Sequence, residues 1–370
     1  MLSTTRLMAA GVCLAALTLA GAGGAGAEEP KVLNVYNWSD YIGEDTLKRF
    51  TAETGITVQY DVYDSNEMLE AKLFSGSSGY DVVVPTSPFM ARQVQAGILM
   101  PLDKAKIPNW GKQDPDLLTV LQNADPDNAH AAIYLWGTNG LGFNVDKVKA
   151  ALGDDVPLDS YDLLFKPEYA SKLAGCGIYV FDSAFEVLPI ALAYLGLDPN
   201  SESAEDYKKA EELMMSIRPY IRKFHSSEYI NALANGDTCL ALGYSGDVFI
   251  AQGRAEESGN GVTIDYVIPK EGTAVWFDTL VIPKDAPHPG NAHAFIDFIL
   301  RPDVIAGVSN YVWYANGVPD SLPLVDEAVR TNPAINPPDA IMDKLYAVKP
   351  ASQALDRLRT RTFARIKTGV

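Results

Sequence analysis

The sequence predicts an α/β fold with largely parallel sheets, and three observations lead to this prediction. Strand and helix signals alternate along the chain, as in proteins whose helices cover both faces of a sheet. The segment Asp81–Pro85 carries three valines in a row, which is typical of a short strand buried on both faces. The chain has 370 residues, of which 47% are hydrophobic and 21% charged, enough for two ordinary domains with packed cores.

The order of elements follows from hydrophobic periodicity and from stop signals such as Gly55. Strands are predicted at 32–36, 57–63, 81–85, 178–181 and 240–243. Helices are predicted at 44–53, 66–74, 204–217 and 226–234. The run Ser203-Ala204-Glu205-Asp206 resembles a capping box at the start of the third of these helices.

Two extended segments are predicted to cross between two lobes. The first, Trp136–Gly142, is rich in glycine, and the second is Trp276–Pro283. With these crossings we expect one lobe to contain residues 28–137 and 279–318, and the other to contain residues 138–278 and 319–370.

Residues 1–27 have the pattern of a secretory signal peptide. Arg6 precedes an apolar run, and Ala25-Gly26-Ala27 suits cleavage after Ala27. The alternative, a membrane anchor, is disfavoured because the run is shorter than the roughly 18–20 residues that a span needs. We therefore expect an exported, periplasmic protein. The oxidising compartment favours a disulfide between Cys176 and Cys239 over the alternative of two buried thiols.

The charge and the missing motifs exclude several classes of protein. A formal charge of −17 argues against binding nucleic acid or anionic lipid, which require a basic face. The sequence contains no phosphate-binding loop, no dinucleotide-binding glycine pattern and no nucleophile elbow. Its four histidines include no pair with zinc-ligand spacing. We therefore expect a binding protein with no catalytic residues, cofactor or metal.

Aromatic rings and carboxylates follow the predicted strands, where ligands of open α/β sheets bind. These residues are Trp38, Asp40, Tyr41, Asp182, Glu186, Tyr244, Asp247, Trp276, Asp278 and Tyr314. Carboxylates offset the cost of burying an organic ammonium group, and ring faces attract it by roughly 0.5–2 kcal/mol each. The pattern predicts an acidic, ring-lined pocket for such a cation. Other roles remain open: rings after strands are often core edges, and Asp40 is also placed to cap the helix at 44–53.

Seven separated segments resemble one family, the periplasmic polyamine-binding proteins of spermidine/putrescine ABC transporters, and most closely its putrescine-binding branch. The segments are Val35–Tyr41, Asp61–Glu67, Tyr80–Pro85, Phe224–Asn231, Leu233–Asp237, Tyr311–Asn316 and Arg357–Thr362. Together they span essentially the whole chain after the predicted signal peptide.

The resemblance implies a two-lobed, type II solute-binding fold that closes on its ligand and performs no catalysis. It implies a polyamine as ligand and the permease subunits of an ABC importer as partners. We also expect a monomer. By position, the implied ligand-binding residues are Trp38, Ser39, Asp40, Tyr41, Thr86, Glu186, Tyr244, Asp247, Trp276, Asp278 and Tyr314. Cys176 and Cys239 lie where putrescine-type members have a cysteine pair.

The chain departs from the putrescine-type pattern at the pocket. Tyr244 replaces a Trp, Trp276 replaces a Phe, and Ser183 and Pro88 replace Ala and Ser at the rim. Trp276 adds ring surface, so we expect spermidine to bind at least as well as putrescine. Asp247 favours putrescine, which leaves comparable affinities open.

Three other functions remain as alternatives to a polyamine receptor for transport. The first is a receptor for another cation, such as agmatine, cadaverine or a modified amino acid. The second is a sensor of polyamines that does not feed a transporter. The third is a secreted hydrolase that uses Glu186 and Asp278 as its carboxylate pair.

Overall fold

The computed structural model describes residues 29–369, so the predicted signal peptide lies outside the described residues. Within that range the chain forms a mixed α/β structure around a sheet of twelve strands. None of the helices in this part of the chain is long and apolar enough to cross a membrane.

The first half of the described chain alternates strands and helices from its first residues. Its elements are β1 Val32–Trp38, α1 Glu44–Thr54, β2 Thr57–Tyr63, α2 Asn66–Phe74, β3 Val82–Val83, α3 Ser87–Gln95, β4 Leu99–Met100, α4 Pro115–Leu121, β5 Ala131–Asn144, α5 Val145–Leu152, α6 Asp162–Phe165, α7 Pro167–Leu173, β6 Ile178–Val180 and α8 Ala184–Tyr194.

The second half is richer in helix. Its elements are α9 Ala204–Ile217, β7 Lys223–Phe224, α10 Tyr229–Ala234, β8 Leu240–Tyr244, α11 Ser245–Ser258, β9 Ile264–Val267, β10 Ala274–Pro283, α12 Pro289–Ile299, α13 Pro302–Val312, β11 Ala315–Asn316, α14 Glu327–Arg330, α15 Asp339–Met342, β12 Tyr346–Ala347 and α16 Gln353–Thr368.

Local signals place the first elements where the sequence predicts them. Helix α1 ends at Gly55, which adopts a left-handed conformation (φ 72°) and donates its N–H to Thr51. Helix α2 begins after Ser65, whose side chain accepts a hydrogen bond from the N–H of Met68. Val82, Val83 and Val84 are fully buried, as a strand covered on both faces requires.

The sheet is parallel at its two ends and antiparallel at its centre. The strand order is β2-β1-β3-β10-β5-β8-β6-β7. The pairs β1–β2, β1–β3, β6–β8 and β6–β7 are parallel, whereas β5 runs antiparallel to both β10 and β8. The prediction of largely parallel sheets is therefore confirmed for the outer strands and wrong for the centre, because the two crossing segments pair with each other in opposite directions.

Hydrophobic cores lie on either side of the crossing strands. Two neighbouring clusters draw on residues within 33–135 and 276–318. The third and largest cluster draws mostly on residues within 141–266 and 325–366. The first two form the core of one half of the molecule and the third forms the core of the other half. The residues at which each lobe begins stay predictions.

Two local predictions in the second half are wrong. Helix α9 begins at Ala204, but the Ser203 side chain makes no capping bond; Ser201 instead donates its hydroxyl to Asp206 at 2.7 Å. The predicted helix at 226–234 begins three residues late, at Tyr229. His225 accounts for the delay, because its Nδ1 accepts the N–H groups of Ser227 and Glu228.

The predicted disulfide between Cys176 and Cys239 is confirmed. It joins the turn after α7 to the residue before β8, with 5.5 Å between the two Cα atoms and a sequence separation of 63. Cys239 is fully buried in the core of its half.

Reduction of this disulfide is expected to lower the free energy of unfolding by about 4 kcal/mol, because a loop of this length then gains freedom in the unfolded chain. Guanidinium unfolding with and without dithiothreitol measures the change. The double variant Cys176→Ala/Cys239→Ala is the control, since reductant should not affect it. An unchanged unfolding midpoint for the native sequence would contradict a structural role.

Candidate ligand-binding site

Every predicted ligand-binding residue except Asp40 lines a single cavity between the two halves. The lining residues are Trp38, Ser39, Tyr41, Asp64, Thr86, Glu186, Ser226, Ser227, Tyr244, Asp247, Trp276, Asp278 and Tyr314.

The five predicted rings form a continuous wall. The Trp38 ring lies 6.2 Å from Tyr244, and Tyr244 lies 5.8 Å from Trp276. Trp276 lies 5.3 Å from Tyr314, which in turn lies 5.3 Å from Tyr41. All four contacts are edge-to-face, a geometry in which the edge of one ring meets the face of another.

The glycine-rich crossing strand makes room for this wall. A Cβ atom on Gly137 would lie 2.8 Å from the Trp276 ring and 2.9 Å from the Tyr314 ring. A Cβ atom on Gly246, at the start of α11, would lie 2.3 Å from the Tyr314 ring. Side chains at either position would therefore push the rings out of the cavity.

Glu186 lies in the first turn of α8 and is only 6% exposed. Asn139 in β5 donates its side-chain N–H to Glu186 Oε2. The same Asn139 accepts the indole N–H of Trp276 at 3.0 Å. The Asn139 amide in β5 thus positions both the Glu186 carboxylate and the Trp276 ring of β10.

Asp247 lies in the first turn of α11 and accepts two phenol hydrogen bonds. Tyr229 donates to Oδ2 at 2.7 Å, and Tyr314 donates to Oδ1 at 2.9 Å. The Tyr314 hydroxyl also accepts the backbone N–H of Asp247 at 3.1 Å. Tyr314 therefore fixes the carboxylate and also presents its ring to the cavity.

Asp278 lies at a break in the strand ladder. The register between β10 and β5 shifts between Phe277 and Thr279, because two residues of β5, Tyr134 and Leu135, lie opposite the single residue Asp278. Bulges of this kind redirect a side chain. The Asp278 carboxylate accepts the Thr86 hydroxyl at 2.7 Å, and Asn66 donates to that hydroxyl at 2.8 Å.

Burial raises the pKa of all three carboxyl groups. The pKa of Glu186 rises to about 8, and those of Asp247 and Asp278 each rise to about 7. Hydrogen bonds from Asn139, Tyr229 and Thr86 oppose the rise without cancelling it. The site therefore disfavours three negative charges unless a positive charge joins them.

Asp40 does not line the cavity and does not cap α1, which begins after Gly43. Its carboxylate accepts Arg254 of α11 at 2.6 Å, so it links the two halves next to the site. Its negative charge is a minor cause of the raised pKa of Asp247. Direct contact between Asp40 and a ligand stays a prediction. Asp182 likewise lies away from the cavity, where it pairs with Lys367.

The two halves also meet around the cavity. Ser183 of one half donates to Glu67 of the other at 2.9 Å, and Arg92 donates to Asp356 at 2.7 Å. The rings of Phe89 and Phe185 meet edge-to-face at 4.8 Å. The structure is thus a closed arrangement in which both halves surround the cavity.

Sequence reasoning missed three lining residues and the residues that support the site. Asp64, Ser226 and Ser227 line the cavity. Asp64 directly follows the predicted strand 57–63, so the search for carboxylates after strands could have found it, whereas the two serines do not fit that search. All three lie in segments that carry the family resemblance, Asp61–Glu67 and Phe224–Asn231, so the resemblance could also have indicated them. Asn139 and Asn66 act through other side chains, and no sequence pattern indicates such indirect roles.

The chain is similar to known solute-binding proteins over most of its length. The model of the family described as bacterial extracellular solute-binding protein matches residues 45–337. The chain is 52% identical to the putrescine-binding periplasmic protein SpuD of Pseudomonas aeruginosa, with 97% of this chain and 98% of that protein covered. It is 50% identical to the putrescine-binding periplasmic protein PotF of Escherichia coli, with 93% of each covered.

The fold of the chain is also similar to that of a solved structure. The putative spermidine/putrescine ABC transporter protein of Listeria monocytogenes superimposes with a TM-score of 0.81 at 28% identity. The match covers 91% of this chain and 99% of the other.

Glu186→Gln is expected to stabilise the ligand-free protein at pH 8.5, by about 2 kcal/mol or more. Because the folded pKa is raised, the folded carboxyl holds its proton to higher pH than the unfolded one, and stability falls as the pH rises from about 4 to about 8. The amide carries no charge, so the gain should shrink at pH 5. Urea unfolding at both pH values measures it.

The control is Glu257→Gln, which removes an exposed carboxyl from the same molecule and should leave stability nearly unchanged. An equal effect of Glu186→Gln at the two pH values would show that the substitution acts through packing and not through charge.

Proposed function

The chain belongs to the bacterial extracellular solute-binding proteins, and we propose that it captures polyamines in the periplasm and delivers them to an ABC importer. Lobe closure around the ligand is the capture step. The family is one of binding proteins, so the alternative of a hydrolase that uses Glu186 and Asp278 falls away.

One observation carries the proposal: three buried carboxyl groups share a small cavity with a wall of five rings. A polyamine supplies two or more ammonium groups joined by methylene chains. The ammonium groups satisfy the carboxylates by charge-assisted hydrogen bonds, and the rings contact the methylene groups and attract the cations. A single small cation would leave carboxylates unpaired.

The ligand would bind to both halves at once. Trp38, Thr86 and Asp278 belong to one half or to the crossing strand, whereas Glu186, Tyr244 and Asp247 belong to the other half. A ligand that contacts both sets binds the closed form more tightly than the open form, and so increases the population of the closed form. The closed form would then be the one that docks on the permease subunits.

The names of the relatives and the site support putrescine as a ligand, and Trp276 supports spermidine as well. Trp276 contacts both Tyr244 and Tyr314, so its extra ring surface is part of the wall that a methylene chain would touch. We propose that spermidine binds at least as well as putrescine. Agmatine and cadaverine are the alternative ligands.

The remaining parts of the proposal concern export and assembly. The signal-peptide pattern of residues 1–27 supports secretion to the periplasm. The net charge of −17 supports a protein that does not bind nucleic acid. We propose a monomer, and lobes divided at the two crossing strands as the sequence predicts.

Calorimetric titration of residues 28–370 tests the function directly. The protein is unfolded and refolded first to remove carried-over ligand, and is then titrated with putrescine, spermidine and spermine. We expect one site with micromolar or tighter affinity for at least one of them. The absence of heat with all three would refute a polyamine receptor, and spermidine binding more than tenfold weaker than putrescine would refute the proposed role of Trp276.

Asp278→Asn is expected to weaken putrescine binding by about 30-fold or more, since it removes a buried charge partner. The control is Asp303→Asn, which removes a carboxylate from a surface ion pair with Arg49 and Arg301 and should change the affinity by less than twofold. Titration calorimetry of both variants gives the comparison. Equal affinities of the two variants would place the ligand elsewhere.

Binding is expected to release protons at pH 7 and to weaken by on the order of 100-fold between pH 8.5 and pH 5.5. Glu186, with its pKa near 8, and Asp247 and Asp278, near 7, hold protons in the closed protein. A cation favours their charged forms and lowers these pKa values. Calorimetry in two buffers of different ionisation enthalpy counts the protons. Identical heats in the two buffers would show that the carboxyl groups are ionised before binding.

A further inference from the structure

A fourth carboxyl group, that of Asp64, lines the ligand cavity. It lies where the two halves meet, because its Oδ2 atom is 3.5 Å from the Ser227 hydroxyl of the other half. The Asp64 side chain is 28% exposed, whereas Glu186, Asp247 and Asp278 are buried. Asp64 therefore lies at the solvent-facing edge of the cavity.

The local structure gives Asp64 no other role. It lies between β2 and α2, but the residue that caps α2 is Ser65, whose hydroxyl accepts the N–H of Met68. Among the described residues, the ion-pair partner within 4 Å of the Asp64 carboxylate is His225, at 3.7 Å. The carboxylate oxygens are therefore available to a ligand.

His225 is directed mainly at another residue. Its Nδ1 accepts the backbone N–H groups of Ser227 and Glu228, so the ring proton is on Nε2. The Nε2 atom lies 3.2 Å from the Glu228 carboxylate and 3.7 Å from that of Asp64. The longer of these distances exceeds that of a hydrogen bond, so the imidazole does not occupy the place of a cation at Asp64.

The buried carboxyl groups follow an order along the wall of rings. Asp247 lies near one end, where Tyr314 donates to its carboxylate at 2.9 Å. Glu186 lies nearer the middle, because the Asn139 amide that donates to it also accepts the indole N–H of Trp276.

Asp64 lies at the opposite end of the wall, next to Trp38. Trp38 and Tyr63 are paired residues of β1 and β2, and Asp64 directly follows Tyr63. The Trp38 ring is held in place, since its Nε1 donates to the carbonyl of Val84 at 2.9 Å and its ring lies 4.8 Å from that of Tyr63. Acidic positions therefore follow one another along the wall from the Tyr314 end to the Trp38 end.

We propose that Asp64 is a specificity-determining residue that binds the third ammonium group of a triamine such as spermidine. One terminal ammonium group lies at Asp247 and Asp278 and the secondary one at Glu186, so the aminopropyl arm passes over the Trp38 ring to Asp64. Ring faces contact methylene groups and attract cations, which suits Trp38 to this arm. Putrescine ends at Glu186 and does not reach Asp64. This inference rests on the proposed function, because it assigns a further contact in the same site.

Calorimetric titration with putrescine, spermidine and N-propylputrescine tests this contact. N-Propylputrescine is spermidine without its third amino group, so it keeps the other two ammonium groups and the propyl arm. We expect the native protein to bind spermidine about tenfold more tightly than N-propylputrescine, because a charge-assisted hydrogen bond to Asp64 is lost.

Asp64→Asn removes the charge and keeps the shape of the side chain. It should weaken spermidine binding about tenfold, and the loss should be at least fivefold smaller for putrescine and N-propylputrescine, which do not reach this residue. A variant that still binds putrescine is folded and able to close.

The control is Glu228→Gln. It removes a carboxylate that lies beside the same histidine but does not line the cavity. It should change the affinity for each of the three ligands by less than twofold, because a charge outside the cavity is screened by solvent.

The outcomes separate this inference from the proposed function. If the native protein binds putrescine but does not distinguish spermidine from N-propylputrescine, the role of Asp64 is refuted and the polyamine receptor stands. Equal losses for all three ligands in Asp64→Asn, or an equal loss of spermidine binding in Glu228→Gln, would also refute it, since the charge would then act on closure or at long range. If none of the three ligands binds to the native protein, both proposals fall.

Discussion

The burial of three carboxyl groups in one cavity is the constraint on which the rest of the site depends. An isolated buried charge costs several kcal/mol in a folded protein, and like charges in one space add to this cost. The surrounding structure reduces the cost only in part. Each carboxyl has at least one donor, from Asn139, from Thr86, or from Tyr229 and Tyr314, and each keeps a raised pKa nonetheless. A bound cation stabilises the charged form of these carboxyl groups, so the site favours positively charged ligands.

The donors to the carboxylates come both from the cavity wall and from behind it. Thr86 and Tyr314 line the cavity and donate to Asp278 and Asp247. Asn139, Asn66 and Tyr229 instead support the lining side chains without lining the cavity themselves. Gly137 of the crossing strand has no side chain, so the Trp276 and Tyr314 rings lie directly against its backbone. The cavity surface therefore consists of rings, carboxylates and hydroxyl groups.

Much of the fold and of the site could be predicted from sequence, because the relevant signals are local. Strand β2 and helix α2 have the predicted bounds, since period-two alternation and the Ser65 cap are both properties of adjacent residues. The antiparallel centre of the sheet could not be predicted, because it depends on which strands pair across the two halves. The role of Asp40 was also out of reach: its partner, Arg254, is far away in sequence. The late start of α10 depends on the hydrogen bond from the N–H of Ser227 to His225, which hydrophobic periodicity does not indicate.

The register shift opposite Asp278 has a consequence for how the molecule moves. It lies where β5 pairs with β10, the two strands that link the halves, so the residue that would hold an ammonium group lies at the irregular point of this pairing. A change in strand twist at this point would alter the angle between the two halves and the direction of the carboxylate together. Substitutions along β10 that lie outside the cavity but alter its twist would then change both.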